Sequence, residues 1–148
     1  MESRYMFRGK RLEDSEWVIG NFMMSEPKPF TKKSYPVIIE KESGFAEYIE
    51  PSTLGQCTGL KDKNGELIFE GEILQDEHGV GEVIWLQEHC AFVVRNIEPH
   101  EYHFPDSGSG QLVNTEIIGN VHDDSPELLF ADKSGIEYAD MPVLESAT

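Results

Sequence analysis

The side chains that could do chemistry in this 148-residue chain are five histidines, two cysteines and a large excess of carboxylates. His100-Glu101-Tyr102-His103 places two imidazoles three residues apart. Metalloproteases use H-E-x-x-H on a helix, where histidines four apart share one face. Here the spacing is three and Pro99 and Pro105 flank the motif, so a surface loop is the stronger reading. His100 and His103 stay as weak metal candidates, and with them a metal-dependent hydrolase as one alternative function. Cys57, Cys90, His78, His89 and His122 are scattered without a C-x-x-C pair, which gives little support to a closed zinc site. Cys90 reads as a buried small apolar group at a strand start. Asp123-Asp124 and Asp132 could hold a hard cation, but carboxylates before a helix start more often complement its dipole. There is no P-loop, dinucleotide glycine fingerprint or nucleophile elbow. The segment Thr58-Gly59-Leu60-Lys61-Asp62-Lys63-Asn64-Gly65 has glycines and lysines, but it sits on a β-turn with no helix after it, so phosphate cradling is not expected. No catalytic residue and no cofactor is expected.

Strands must position whatever these groups do. Tyr5 to Phe7 reads as a first short strand, and Trp17 to Met24 is a β-branched and aromatic run typical of a strand. Ser25 to Ser34 carries Pro27, Pro29 and three lysines and reads as an exposed loop. Pro36–Glu40 and Phe45–Ile49 flank a four-residue loop with Gly44, a hairpin signal. Further strands are expected at Gly81–Leu86, Cys90–Arg95 and Glu116–His122, with a tight tip at Gln87–His89 and a turn at Asp76–Gly79. Asn96 to Asn114 reads as a long flexible excursion. Ser125 is a candidate N-cap with Pro126 at the first helical position. Trp85, Phe92, Ile117 and Ile118 are the expected core of the second part, where alternation requires at least one of the two isoleucines to face inward.

The chain is organised around Gly55–Ile73, GQCTGLKDKNGELIFEGEI. Asn64-Gly65 is a strong signal for a tight turn with positive φ. Leu67–Leu74 is apolar and broken by Gly71, which suggests a bulge or sharp bend. This stretch resembles the signature of the YopX-like family of phage and prophage proteins, G-Q-x-T-G-L-x-D-x-N-G-x-x-I-x-E-G-D-I. The matching positions include Gly55, Thr58, Gly59, Asp62, Asn64, Gly65, Glu70 and Gly71. Two flanking blocks agree in order: Phe7-Arg8-Gly9-Lys10-Arg11 before Trp17-Val18-Ile19-Gly20, and Glu116–His122 before Pro126-Glu127-Leu128-Leu129. The departures are Glu72 where Asp is usual and Cys57 where an aromatic is common. The resemblance implies an SH3-like small barrel in residues 55–130. Residues 1–54 would form a smaller β-rich lobe and residues 131–148 an acidic tail. It implies phage context and no established biochemical activity.

Charge is the most informative global property. The net charge is −16, from 12 basic and 28 acidic residues. Residues 1–63 carry ten of each, whereas residues 64–148 carry 18 acids against Arg95 and Lys133. An acidic second part argues against gripping phosphates, which needs Lys and Arg. No apolar run approaches a membrane span, the N-terminal segment lacks a signal-peptide core, and two cysteines are too few for a disulfide framework. The expectation is a cytoplasmic, non-enzymatic mainly-β binding module with a protein partner, and no contact with nucleic acid or membrane. A basic partner would suit the acidic face. The alternative is an acidic decoy, a DNA mimic that occupies a host DNA-binding protein. The polarised charge also allows copies to associate head to tail.

Overall fold

The computed structural model describes residues 3–96, 101–103, 105 and 108–130. Among the described residues, eleven strands form two antiparallel sheets. In chain order they are β1 (Phe7–Lys10), β2 (Trp17–Met24), β3 (Pro36–Glu40), β4 (Ala46–Tyr48), β5 (Gly55–Lys61), β6 (Leu67–Phe69), β7 (Glu72–Asp76), β8 (Gly79–Leu86), β9 (Ala91–Asn96), β10 (Glu101–His103) and β11 (Glu116–Asn120). The first sheet runs β4-β3-β2-β1-β5-β6 and the second β10-β9-β8-β7-β11. The mainly-β expectation is met. Among the described residues the strands form two open sheets and close no barrel, and the contact between β5 and Gln111 is a single parallel bridge at Lys61.

Local sequence explains most elements. Trp17–Met24 is a strand over its full expected length, and β3 and β4 form the expected hairpin around Gly44. The Asp76–Gly79 turn closes the β7–β8 hairpin, and Trp85 pairs with Phe92 across β8 and β9. Three expectations are corrected. Ser3–Tyr5 is a 3-10 turn and the first strand starts at Phe7. Cys90 is exposed, because it ends the Gln87–His89 3-10 turn with φ 50. The third concerns Asn96–Asn114, which is not all excursion. Glu101–His103 pairs with β9, Leu112 is buried, and Leu112 N donates to Lys61 O at 2.7 Å. The tail expected at 131–148, including Asp132, lies outside the described residues.

Two cores result. Val18, Ile38 and Ile49 pack with Phe7 and Leu54 under the first sheet. Ile68, Leu74, Val83, Val94 and Leu112 form the second, with Leu60, Phe92 and Ile117 packed against it. A bulge between Ile117 and Gly119 lets Ile117 keep its place opposite Leu74 while β11 bends. Trp85 stays 43% exposed, touching Phe92 edge-on at 5.1 Å. Ile68 belongs to a strand of the first sheet and yet sits in the second core. Sheet one therefore extends past residue 54, and the central stretch links the sheets by serving both. No helix among the described residues is long and apolar enough to cross a membrane.

Candidate functional site

The residues singled out in the central stretch are spread along β5, the turn after it and the bend from β6 into β7, the segment that links the two sheets. Gly55 lies opposite Arg8 in the β1–β5 ladder. The β5–β6 ladder is irregular between Cys57 and Lys61, where Gly59 lies. Thr58 fills the gap: its hydroxyl donates to Ile68 O at 2.9 Å and accepts from Leu60 N at 3.1 Å. Asp62 is 1% exposed, and its carboxylate accepts from three backbone amides. Oδ1 takes Asn64 N (2.9 Å) and Glu66 N (3.0 Å), and Oδ2 takes Ile117 N (3.1 Å). One side chain thus shapes the Asn64-Gly65 turn and ties it to β11, since a buried acceptor with charge-assisted bonds is well satisfied only there. Gly65 has φ 82, as its turn requires.

Glu70 and Gly71 turn the chain from β6 into β7. Glu70 Oε1 accepts from Gln56 N at 3.3 Å, and burial raises its carboxyl above the ordinary range. Gly71 has φ 90, and its amide donates to Val83 O at 2.8 Å. A Cβ there would stand 3.3 Å from His122 Nε2, so position 71 excludes side chains by backbone and by space.

Beside Gly71 lies a buried charge cluster that sequence spacing did not disclose. Arg8 stacks over Trp17 (4.3 Å) and Phe69 (5.1 Å) and reaches Glu72 Oε2 at 3.5 Å. Both side chains are nearly buried, at 12% and 8% exposure. Glu72 Oε1 also accepts from Phe69 N at 2.6 Å. Burial raises the Glu72 carboxyl and lowers the Arg8 guanidinium, against their mutual attraction. Arg8 Nε and Nη2 are buried with no hydrogen-bond partner among the described residues. Further out, Asp123 gathers Lys10, Asn120 Nδ2 at 3.0 Å and Trp17 Nε1 at 2.8 Å, which hold its carboxyl well below the usual range. His122 stacks near Trp17 at 5.8 Å, and burial, then Arg8 and Lys10, lower its pKa. The sequence hints were that Arg8, Lys10 and Trp17 fall in a block matching the family and that Glu72 holds an acidic position of its central signature.

The histidines divide. His100 lies outside the described residues. His103, on β10, sits 4.8 Å from the His78 ring, and its Nε2 lies 3.3 Å from Asp76 Oδ2. Asp76 Oδ1 accepts from His78 N at 2.7 Å, and His103 leads the contacts that lower its pKa against burial. No group of three or more His, Cys, Asp or Glu side chains suited to a metal occurs among the described residues. These three groups border a groove of about 390 Å³ with Leu74, Leu112 and Asn114. It adjoins an apolar pocket of about 240 Å³ lined by Leu60, Ile68, Leu74, Val83, Phe92 and Leu112.

The arrangement defines a two-sheet β-protein whose most specific residues build a joint, with an acidic, histidine-bearing groove on one sheet. The chain belongs to the YopX family: the family model described as YopX protein matches residues 6–130. No curated protein matches the chain.

Proposed function

We propose that the protein is a non-catalytic binding module of phage or prophage origin that works in the host cytoplasm. The observation that supports this most is what the polar groups of the central stretch do. Thr58, Asp62, Glu70 and Glu72 bond backbone amides of the fold, which commits these oxygens to structure. What the chain offers outward is charge, 18 acids against two bases after Lys63. Charge of that sign steers basic partners and repels nucleic acid. The five strands β7 to β11, with β6 laid against their core, are read as an SH3-like half. Modules of that kind bind through loops and grooves, an analogy at the level of fold.

The same acidity supports a second reading, a decoy for a host DNA-binding protein. One experiment separates them. The tagged protein is incubated with bacterial lysate over a salt series, and captured proteins are challenged with duplex DNA. Salt-sensitive capture that DNA does not displace supports the module, and displacement by DNA supports the decoy. Absence of any salt-sensitive capture would overturn both.

A further inference from the structure

The outward face of the first sheet is left bare at one end. Pairing registers set its side chains in rungs, since alternate residues of a strand share a face. Lys10 stands beside Trp17, and Arg8 beside Ile19. Next come Asn21, Ile39 and Ala46, then Met23, Val37 and Tyr48. None of these outward positions is acidic, in a chain with 28 acids. The rungs at Lys10 and Arg8 are covered: Asp123 pairs with Lys10 and accepts from Trp17 Nε1, His122 lies against Trp17, and Glu72 meets Arg8. Further along the surface stays open. Met23 is 50% and Tyr48 43% exposed, and Asn21 and Ala46 are exposed as well.

The open end has a basic rim. Lys28 bonds the Tyr48 hydroxyl at 2.8 Å and lies over its ring at 4.7 Å. Lys28 N donates to Lys33 O (3.0 Å) and Lys32 N to Lys28 O (2.7 Å), which folds the loop after β2 into an ordered tip carrying the exposed Phe30. The tip holds Lys28, Lys32 and Lys33 against one acid, Glu26. Arg8, Lys10, Arg11, Lys63 and Arg95 are paired with acids of the fold, so the tip is a cluster of positive charge left over. The chain itself supplies a segment of matching chemistry. Residues 131–148 carry four acids against Lys133, together with Ile136, Tyr138, Met141, Val143 and Leu144. They begin eight residues past Asp123, which already holds the covered end of the face. Eighteen extended residues reach about 60 Å, whereas Trp17 to Met23 spans about 20 Å along β2, and β2 to β4 about 10 Å across the strands. We propose that residues 131–148 dock on this face of their own chain, with apolar side chains over Met23, Ile39 and Tyr48 and acids toward the lysines of the tip. Tethering favours the chain's own segment over that of a second copy, because a short linker gives a millimolar effective concentration. The lysines would also suit a nucleic acid, but the net charge of −16 opposes one. The docking is independent of the binding-module reading.

The test is paramagnetic broadening of amide signals in the full chain. A nitroxide is attached at Ala147→Cys in a Cys90→Ser background, where the fully buried Cys57 stays unlabelled. The amides of Asn21, Met23 and Tyr48 should broaden, and should sharpen again as salt rises. Lys32→Glu/Lys33→Glu, at two exposed tip positions, leaves the fold intact and should reduce the broadening severalfold. Glu137→Lys/Asp140→Lys should do the same. The two pairs of changes combined should restore it, because the charges are again complementary. Sharp Met23 and Tyr48 signals in the spin-labelled chain carrying no charge changes, a contact indifferent to salt, or a combined variant that recovers nothing would each overturn the proposal. So would equal broadening when spin-labelled chains without isotope are mixed with isotope-enriched chains without spin label, since that contact joins two copies.

Discussion

Removing the Glu72 carboxylate should be among the most damaging single changes in the molecule. Glu72 sits 3.5 Å from Arg8, with both side chains nearly buried. At an effective dielectric of about 20, that separation corresponds to an attraction of about 5 kcal/mol. Desolvating the two ions costs several kcal/mol each, so the pair itself adds little net stability. Breaking it is another matter. Glu72→Ala strands the Arg8 charge between Trp17 and Phe69 and leaves Phe69 N without its 2.6 Å acceptor. Loss of one partner of a buried pair costs about 3–5 kcal/mol. Arg8→Met keeps apolar volume between the rings and leaves a carboxyl that burial already pushes up. That carboxyl can take a proton. With a raised folded-state pKa the native state binds more protons than the unfolded one, so the Arg8→Met penalty should shrink as pH falls. The double change Arg8→Met/Glu72→Leu should recover most of the charge penalty, because paired charges and apolar groups of similar volume are often equivalent in a core, and should keep a cost of about 1–3 kcal/mol for the unmet Phe69 N–H. Urea unfolding of all four proteins completes the cycle. A cost below about 1 kcal/mol for Glu72→Ala, or additive single and double costs, would refute the argument that this joint is an interdependent buried pair.

Other consequences follow from the same geometry. Asp62→Ala removes the acceptor of three backbone amides and should cost about 3 kcal/mol or more in chemical denaturation. Gly65→Val should cost about 1 kcal/mol through positive φ alone, since a Cβ there meets no atom within 4 Å; an unchanged thermal midpoint would count against the turn. Gly71→Val should cost clearly more, because strain at φ 90 adds to crowding against His122. His122 has a lowered folded-state pKa, so the unfolded chain takes up the proton first, and stability should drop as pH falls below about 6.5. Asp123, also lowered, adds stability that is lost only as pH falls through the carboxylate range, so the two effects separate. His122→Gln should flatten the thermal midpoint between about pH 7 and 5.

Local signals and non-local ones fared differently for a physical reason. Asn64-Gly65, the Trp17–Met24 run and the hairpin around Gly44 are governed by residues a few positions apart, and there the sequence could be read directly. The three residues of β10 fall between Pro99 and Pro105, too few to show alternation, and they are a strand because β9 supplies an edge. Cys90 had the composition of a strand start, but the three-residue turn before it fixed its backbone instead. Arg8 and Glu72 are 64 positions apart, and no periodicity connects them. The β1–β5 pairing that extends the first sheet past residue 54 is equally non-local.

Function follows the same division. A side chain that spans two elements is committed by both, as Asp62 is to the turn and to β11, or Glu72 to Arg8 and to Phe69 N. The central stretch is dense in such residues because one chain segment must finish the first sheet and open the second. Its glycines and carboxylates therefore specify a joint. The groups left with unspent geometry lie away from it, on the Phe30 tip and on the bare face at Met23 and Tyr48. A residue that does nothing for its own fold, and is nevertheless held in a fixed place by hydrogen bonds, is the best remaining indicator of contact with something else.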